Sequence, residues 1–260
     1  MTTRRVQFVV SRYPAGGGQG YAADLSNPLA LDPAECRRSE DALAEGLRAA
    51  GGSVLVVPHL YYLTETHAVV RRLSEWPDTL VVASWLYPRA SYWTLRALGV
   101  DGASAEAAEA ESPPSRAIHC LFLREDASPE ACLSRLAGPA PEHPGGRGGV
   151  VEDISAEMPP RWYPVLDYER CRECGQCHDF CLFGVFTREG RRVLASDPDK
   201  CKPGCPACAR LCPAGAIIFP HCSPDPAIAG APGDGAASGG GEEAGPDDLD
   251  QLIDALDELD

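Results

Sequence analysis

The sequence predicts an α/β fold, a parallel sheet flanked by helices, followed by a small cysteine-rich α+β domain and a disordered acidic tail. Three observations point there. Short apolar runs alternate with amphipathic stretches across residues 6–136, the pattern of strands buried on both faces and covered by helices. Eight of the 12 cysteines lie between positions 171 and 212. Residues 223–260 carry 11 acidic side chains and no basic one. The expected boundaries are 1–137 for the α/β domain, 138–160 for a linker and 161–222 for the cysteine domain. A disordered linker over 223–246 and an acidic amphipathic helix over 247–260 complete the chain.

In order along the chain, Val6–Val10, Val54–Val57, Leu80–Ala83 and Ile118–Leu123 are each too short for a helix and are bounded by turn residues, so they read as strands. "SEDALAEGLRAAGG" is the clearest helix: Ser39 caps it, Leu43 and Leu47 share a face, and Gly51 ends it. "THAVVRRLSEW" and "SYWTLRALGV" are the next two. "DGASAEAAEAESPPS" reads as an insertion or loop before the last strand, and "AGPAPEHPGGRGG" as linker by composition. Near the end, "LDQLIDALDELD" puts Leu249, Leu252, Ile253, Leu256 and Leu259 on one helical face. Two readings of it stay open: a helix that docks on a partner or back on its own body, and a solvated, partly helical tail.

The formal net charge is -15, but it is uneven: -6 over residues 1–160, +2 over 161–222 and -11 over 223–260. No concentrated basic face exists for non-specific nucleic-acid binding. No apolar run reaches membrane-spanning length. "MTTRRVQFVV" starts basic and then apolar, but Ser11, Arg12 and Pro14 cut the run short of a signal sequence, and Arg4–Arg5 reads as surface charge. The expected location is cytoplasmic, where clustered thiols are metal ligands rather than disulfides.

The cysteine segment repeats itself. Asp167-x3-Cys171 precedes Cys174-x2-Cys177-x3-Cys181-x2-Gly184, and Asp197-x3-Cys201 precedes Cys205-x2-Cys208-x3-Cys212-x2-Gly215. A cubane iron–sulfur cluster needs four converging thiolates. Three closely spaced cysteines supply three corners, and in two-cluster proteins the fourth comes from the other run. The spacing therefore assigns Cys171, Cys174, Cys177 and Cys212 to one [4Fe-4S] cluster, and Cys201, Cys205, Cys208 and Cys181 to a second. Pro213 stops regular structure after Cys212, while Gly184 and Gly215 allow close backbone approach. The alternative is structural zinc, which also uses Cys-x2-Cys pairs. It gives no reason for a fourth cysteine at x3 or for the proline after Cys212.

"CRECGQCHDFC" and "CARLCPAGAI" resemble the bacterial-type two-cluster [4Fe-4S] ferredoxin domain, over roughly 60 residues. The resemblance implies single-electron transfer to and from redox partner proteins. Two positions depart from the family: Leu182 follows Cys181 where proline is usual, and Cys201-x3-Cys205 is one residue longer than the usual first spacing. Pro203–Gly204 is a turn that absorbs the extra residue. Lys200 and Lys202, the only lysines, flank Cys201; they raise the potential there, form a docking patch, or are simply solvated. Cys36, Cys120 and Cys132 read as buried small hydrophobes, and Cys222 as a spare thiol.

"AGGGQG" after the first strand lacks the residues of a phosphate loop and reads as a turn. "VLVVPHLYYLTETHAVVRRL" runs strand, loop, helix, with His67 in the helix's first turn. It resembles the strand–loop–His segment of class II tetrapyrrole chelatases of the sirohydrochlorin cobaltochelatase type, a parallel α/β sandwich, so a chelatase-like or flavodoxin-like sandwich is expected. That family's first strand ends in His-Gly-Ser, whereas here it ends in Ser11-Arg12-Tyr13. His59 and His67 therefore read as pocket or surface residues. The sequence favours an electron carrier whose α/β domain recognises a partner or ligand. The alternatives are an enzyme whose α/β domain receives electrons from the clusters and a binding module whose clusters are structural.

Overall fold

In the computed structural model, residues 6–14, 31–105, 116–125, 127–136, 149–222 and 224–232 are described. "AGGGQG" and the acidic stretch 247–260 lie outside them. Six parallel strands form the main sheet in the order β4-β5-β3-β1-β2-β6. They are β1 (Val6–Ser11), β2 (Ser53–Val57), β3 (Thr79–Ser84), β4 (Ala103–Ser104), β5 (Ala117–Phe122) and β6 (Val150–Asp153). The covering helices are α1 (Pro33–Ala49), α2 (Ala68–Glu75), α3 (Pro88–Ala97) and α4 (Pro129–Ser134).

Alternate residues of the central strands feed two cores. Phe8, Val10, Val54, Val56, Val81 and Ala83 pack against Leu43 and Leu47 of α1. Val9, Leu55, Val57, Leu80 and Val82 pack against α2 and α3 through Val69, Leu73 and Leu95. Burial of both faces is why these strands read as unbroken apolar runs.

Three local expectations are corrected. α1 begins at Pro33, capped by the Asp32 carboxylate on the Ala34 amide at 2.9 Å, so Ser39 lies inside the helix and caps nothing. His67 is the N-cap of α2, its Nδ1 accepting from the Val69 amide at 3.2 Å, rather than a residue of the first turn. The stretch expected as linker contributes β6, which pairs in parallel with β2 from Ser53↔Val150 to Val56↔Asp153.

The C-terminal module is α+β. Two short strands, β7 (Val165–Leu166) and β10 (Ile217–Ile218), pair antiparallel. Between them lie α5 (Gln176–Phe180), the hairpin β8 (Thr187–Glu189) and β9 (Arg192–Leu194), and α6 (Ala207–Leu211). Residues 224–232, expected to be disordered, include α7 (Pro226–Ala229), whose Ile228 is buried against Trp162 and Phe219 in the module's core.

The two halves share a core: Tyr163, Val165 and Ile218 of the module pack with Leu60, Tyr61, Tyr62 and Ala90 of the α/β half. The module sits on the carboxyl edge of the parallel sheet, against the loop after β2 and the start of α3. In an open parallel sheet that edge is where ligands are held. Among the described residues no helix is long and apolar enough to cross a membrane.

Candidate metal centre

Asp167 and Asp197 introduce the two copies of the repeat, and each starts a tight turn ending in a cysteine. Asp167 Oδ1 accepts from the amides of Glu169 and Arg170 at 3.0 and 3.1 Å, and its carbonyl accepts from the Cys171 amide at 3.0 Å. In the second copy the Lys200 amide donates to the Asp197 carbonyl at 3.1 Å, and the Cys201 amide to that of Pro198 at 3.1 Å. Both copies then need a left-handed residue just before the second cysteine. Gly204 meets this with φ 76°, in a turn closed by the Cys205 amide on the Lys202 carbonyl at 3.0 Å, which takes up the extra residue. In the first copy the same register is Glu173, with φ 54°, the one non-glycine residue of positive φ among those described.

The loops bring the first of the two expected ligand sets around one cavity. Cys171, Cys174, Cys177 and Cys212 line one small cavity, backed by the apolar side chains of Leu166, Val193, Ala214, Ala216 and Ile217. Burial pushes the Cys177 thiol up to about 11, and the charges of Cys212, Cys171 and Cys174 push the same way. In the other set burial raises Cys201 to about 12, reinforced by Cys205 and Cys181. Burial raises Cys208 as well, and its thiol neighbours are Cys201, Cys177, Cys181 and Cys205. The cavity thus holds three cysteines of the first run and the last cysteine of the second, while Cys208 has thiol neighbours from both runs.

No group of three or more His, Cys, Asp or Glu side chains among the described residues is arranged to hold a single metal ion. The first four thiols instead border a hollow. A donor set made of sulfur alone is soft and suits iron–sulfur clusters or zinc. Thiols whose pKa burial raises, as at Cys177, Cys201 and Cys208, are poor nucleophiles unless a cation compensates their charge. The Ala216 amide points at Cys212 Sγ at 3.4 Å, a donor placed to stabilise thiolate there.

The surroundings supply contacts that the sequence did not reveal. Arg89, at the start of α3, donates from Nε to Asp167 Oδ2 and from Nη2 to the Gly215 carbonyl, both at 2.6 Å. Beside the second set, Tyr61 stacks on Tyr163 with ring centroids 4.4 Å apart. Tyr61 Oη donates to the Tyr163 carbonyl at 2.5 Å and accepts from the Tyr163 amide at 2.7 Å. His59 is buried against the module: its Nδ1 meets the Arg12 carbonyl at 3.0 Å and its Nε2 meets His221 Nε2 at 2.8 Å. Burial holds the His59 pKa down to about 4 and that of His221 well below the usual range, where the neighbouring His59 charge adds to the effect. Lys200 pairs with Asp197 at 3.1 Å on the surface. Cys222 is buried in the module's core.

A cleft of about 270 Å³ lies between the halves, bordered by Thr64, Glu65 and Thr66 on one side and Arg161, Tyr163, Ser196 and Asp199 on the other. The Tyr163 hydroxyl is buried without a partner, and its charged neighbours are Arg161, Asp199 and Glu65.

No family model matches the chain. Over 60 residues it is 43% identical to an uncharacterized ferredoxin of Methanocaldococcus jannaschii, a match taking in 23% of this chain and 41% of that one. A second uncharacterized ferredoxin of the same organism is 39% identical over 55 residues, 20% of this chain and 87% of its own length. The pyruvate synthase subunit PorD of that organism is 39% identical over 54 residues, 21% of this chain and 62% of the subunit. The chain therefore spans less than half of the first relative and most of the second. The ferredoxin matches fall in the C-terminal part of this chain.

Proposed function

Because the chain belongs to the ferredoxins, we propose that it relays single electrons through two [4Fe-4S] clusters. One is held by Cys171, Cys174, Cys177 and Cys212, the other by Cys201, Cys205, Cys208 and Cys181. The observation that carries this reading is the cavity ringed by three cysteines of one run and Cys212 of the other. When bound, each cluster takes up and returns one electron. The chain's own contribution is to hold the sulfurs, exclude water with Leu166, Val193 and Ile217, and aim the Ala216 amide at Cys212. In this reading the α/β half extends through β6 and the C-terminal module through α7, and the protein works in the cytoplasm with a redox partner protein. The likeness to a pyruvate synthase subunit makes an oxidoreductase complex a suitable partner.

Anaerobic purification with iron, sulfide and EPR analysis tests this. About eight irons with matching sulfide, and interacting reduced-cluster signals, are expected; stoichiometric zinc without sulfide overturns it. Crossed wiring is tested by Cys212→Ala and Cys181→Ala. The first substitution should abolish the cluster of Cys171, Cys174 and Cys177 and spare the other, and the second should do the reverse.

The cleft between the halves favours a second reading, an enzyme whose α/β domain holds a small molecule beside the second cluster. Its wall includes Pro198 and Asp199, in the turn that ends at Cys201. A tetrapyrrole-chelatase version gains little, since both ring nitrogens of His59 are engaged and His67 Nδ1 caps α2. Ligand-observed NMR with small carbonyl and amino compounds separates the two. Binding lost in Tyr163→Phe supports the enzyme, and no binding leaves the carrier.

A further inference from the structure

The ferredoxin likeness covers less than a quarter of the chain, yet a residue outside that module grips the two loops that carry Cys171 and Cys212. Arg89 opens α3 in the α/β half. Its side chain is 15% exposed, and that of its partner Asp167 is 4% exposed. The guanidinium spans two loops: Nε binds the Asp167 carboxylate, whose turn delivers Cys171, and Nη2 binds the carbonyl of Gly215, three residues beyond Cys212. The Cys212 thiolate is among the charges that Arg89 senses. Arg170 approaches the same carboxylate at 3.6 Å from the surface side. Two guanidinium groups and one carboxylate leave one net positive charge at this edge of the cavity, and the better buried of the two cations belongs to the α/β half.

We infer that Arg89 sets the reduction potential of the first cluster, so that the α/β half acts as its electrostatic second wall. This rests on the two-cluster reading above. Taking up one electron makes the cluster and its four thiolates one charge more negative. A fixed cation in a partly desolvated position favours that state more than the oxidised one and raises the potential. Arginine suits the position because it stays charged when desolvated and grips carboxylate and carbonyl with separate N–H groups. Removing its charge also leaves Asp167 less compensated, which pushes the potential in the same direction.

The test is an EPR-monitored titration of the full-length holoprotein with dithionite as reductant, comparing wild type, Arg89→Gln and Arg89→Lys. Arg89→Gln should make reduction of the first cluster about tenfold less favourable, a fall of about 59 mV for one electron. The second cluster serves as internal reference and should move much less. Arg89→Lys keeps the charge but loses the fork, and should stay near the wild-type potential. A first-cluster potential unmoved in Arg89→Gln overturns the inference, as does an equal fall in both variants, which would mark Arg89 as structural only. Iron and sulfide analysis of the same samples reports on the cluster reading separately: if wild type holds no cluster, that reading fails first.

Discussion

Tyr61→Phe and Tyr163→Phe each remove one hydroxyl oxygen, from two buried rings stacked face to face. The structure makes the consequences unequal. Tyr61 Oη satisfies both backbone groups of Tyr163, its amide and its carbonyl, at a seam closed to solvent. Without it, two buried backbone groups lose their partner, at about 1–3 kcal/mol each. The expected cost of Tyr61→Phe is about 2–5 kcal/mol, a fall of roughly 5–15 °C in the unfolding midpoint for a chain of this size. The Tyr163 hydroxyl has no protein partner, so Tyr163→Phe should cost under about 0.5 kcal/mol. Anaerobic thermal unfolding by circular dichroism gives the ranking. Hydrogen exchange with mass spectrometry gives the cause, because the peptide containing the Tyr163 amide should lose protection in Tyr61→Phe alone. Equal destabilisation by the two substitutions, or an unchanged Tyr163 amide in Tyr61→Phe, would refute the assignment of these hydrogen bonds.

The seam should also be acid-sensitive. His59 and His221 have folded pKa values below the ordinary 6.5, so the unfolded chain binds protons that the folded one refuses. Their contribution is complete above pH 6.5 and is lost as pH falls toward about 4, at about 1.4 kcal/mol per pH unit for each imidazole; His221→Gln should flatten the measured stability–pH slope relative to wild type. Glu173 occupies a left-handed conformation that its glycine counterpart in the second repeat adopts freely. Glu173→Gly should raise stability by about 0.5–1 kcal/mol in urea unfolding, the relief of backbone strain exceeding the cost of the extra conformational entropy that glycine gives the unfolded chain. A loss of stability would mean that the ion pair with Arg191, 3.9 Å away, outweighs the strain.

What the sequence disclosed was local. The strands β1, β2, β3 and β5 were legible because burial on both faces writes an apolar run, and the end of α1 was legible because Gly51 supplies φ 88°. The start of α1 was signalled by Asp32–Pro33, a cap followed by a first-turn proline. Apolar periodicity sets in only at Leu43, which drew attention to Ser39 instead. β6 is four residues in a glycine-rich stretch, and its pairing with β2 spans about a hundred positions with nothing local to announce it. At the candidate metal centre, the cysteine spacing and the repeated aspartates were visible in one dimension. Arg89 on Asp167, and His59 on His221, join residues 78 and 162 positions apart, and only the packing of the two halves brings them together. Glu173 had one sequence signal, its alignment with Gly204.

The placement of the module also bears on what the α/β half is for. β1 and β3 are neighbours, and the connection after β1 runs toward β2 while that after β3 runs the opposite way, toward β4; the crevice at such a reversal is where open parallel sheets bind their ligands. Here the chain after β1 and the chain after β3 are tied together there: buried Glu40 accepts from the Tyr13 amide at 2.6 Å, Trp85 Nε1 at 2.7 Å and Arg12 Nη1 at 3.1 Å. The neighbouring part of the edge, beyond β2 and at the start of α3, is covered by the module. α3 then runs from Arg89, on Asp167 and the Gly215 carbonyl, to Ala97, on the cleft between the halves. One ten-residue helix therefore holds Asp167 and the Gly215 carbonyl at its first turn and borders the cleft at its last residue.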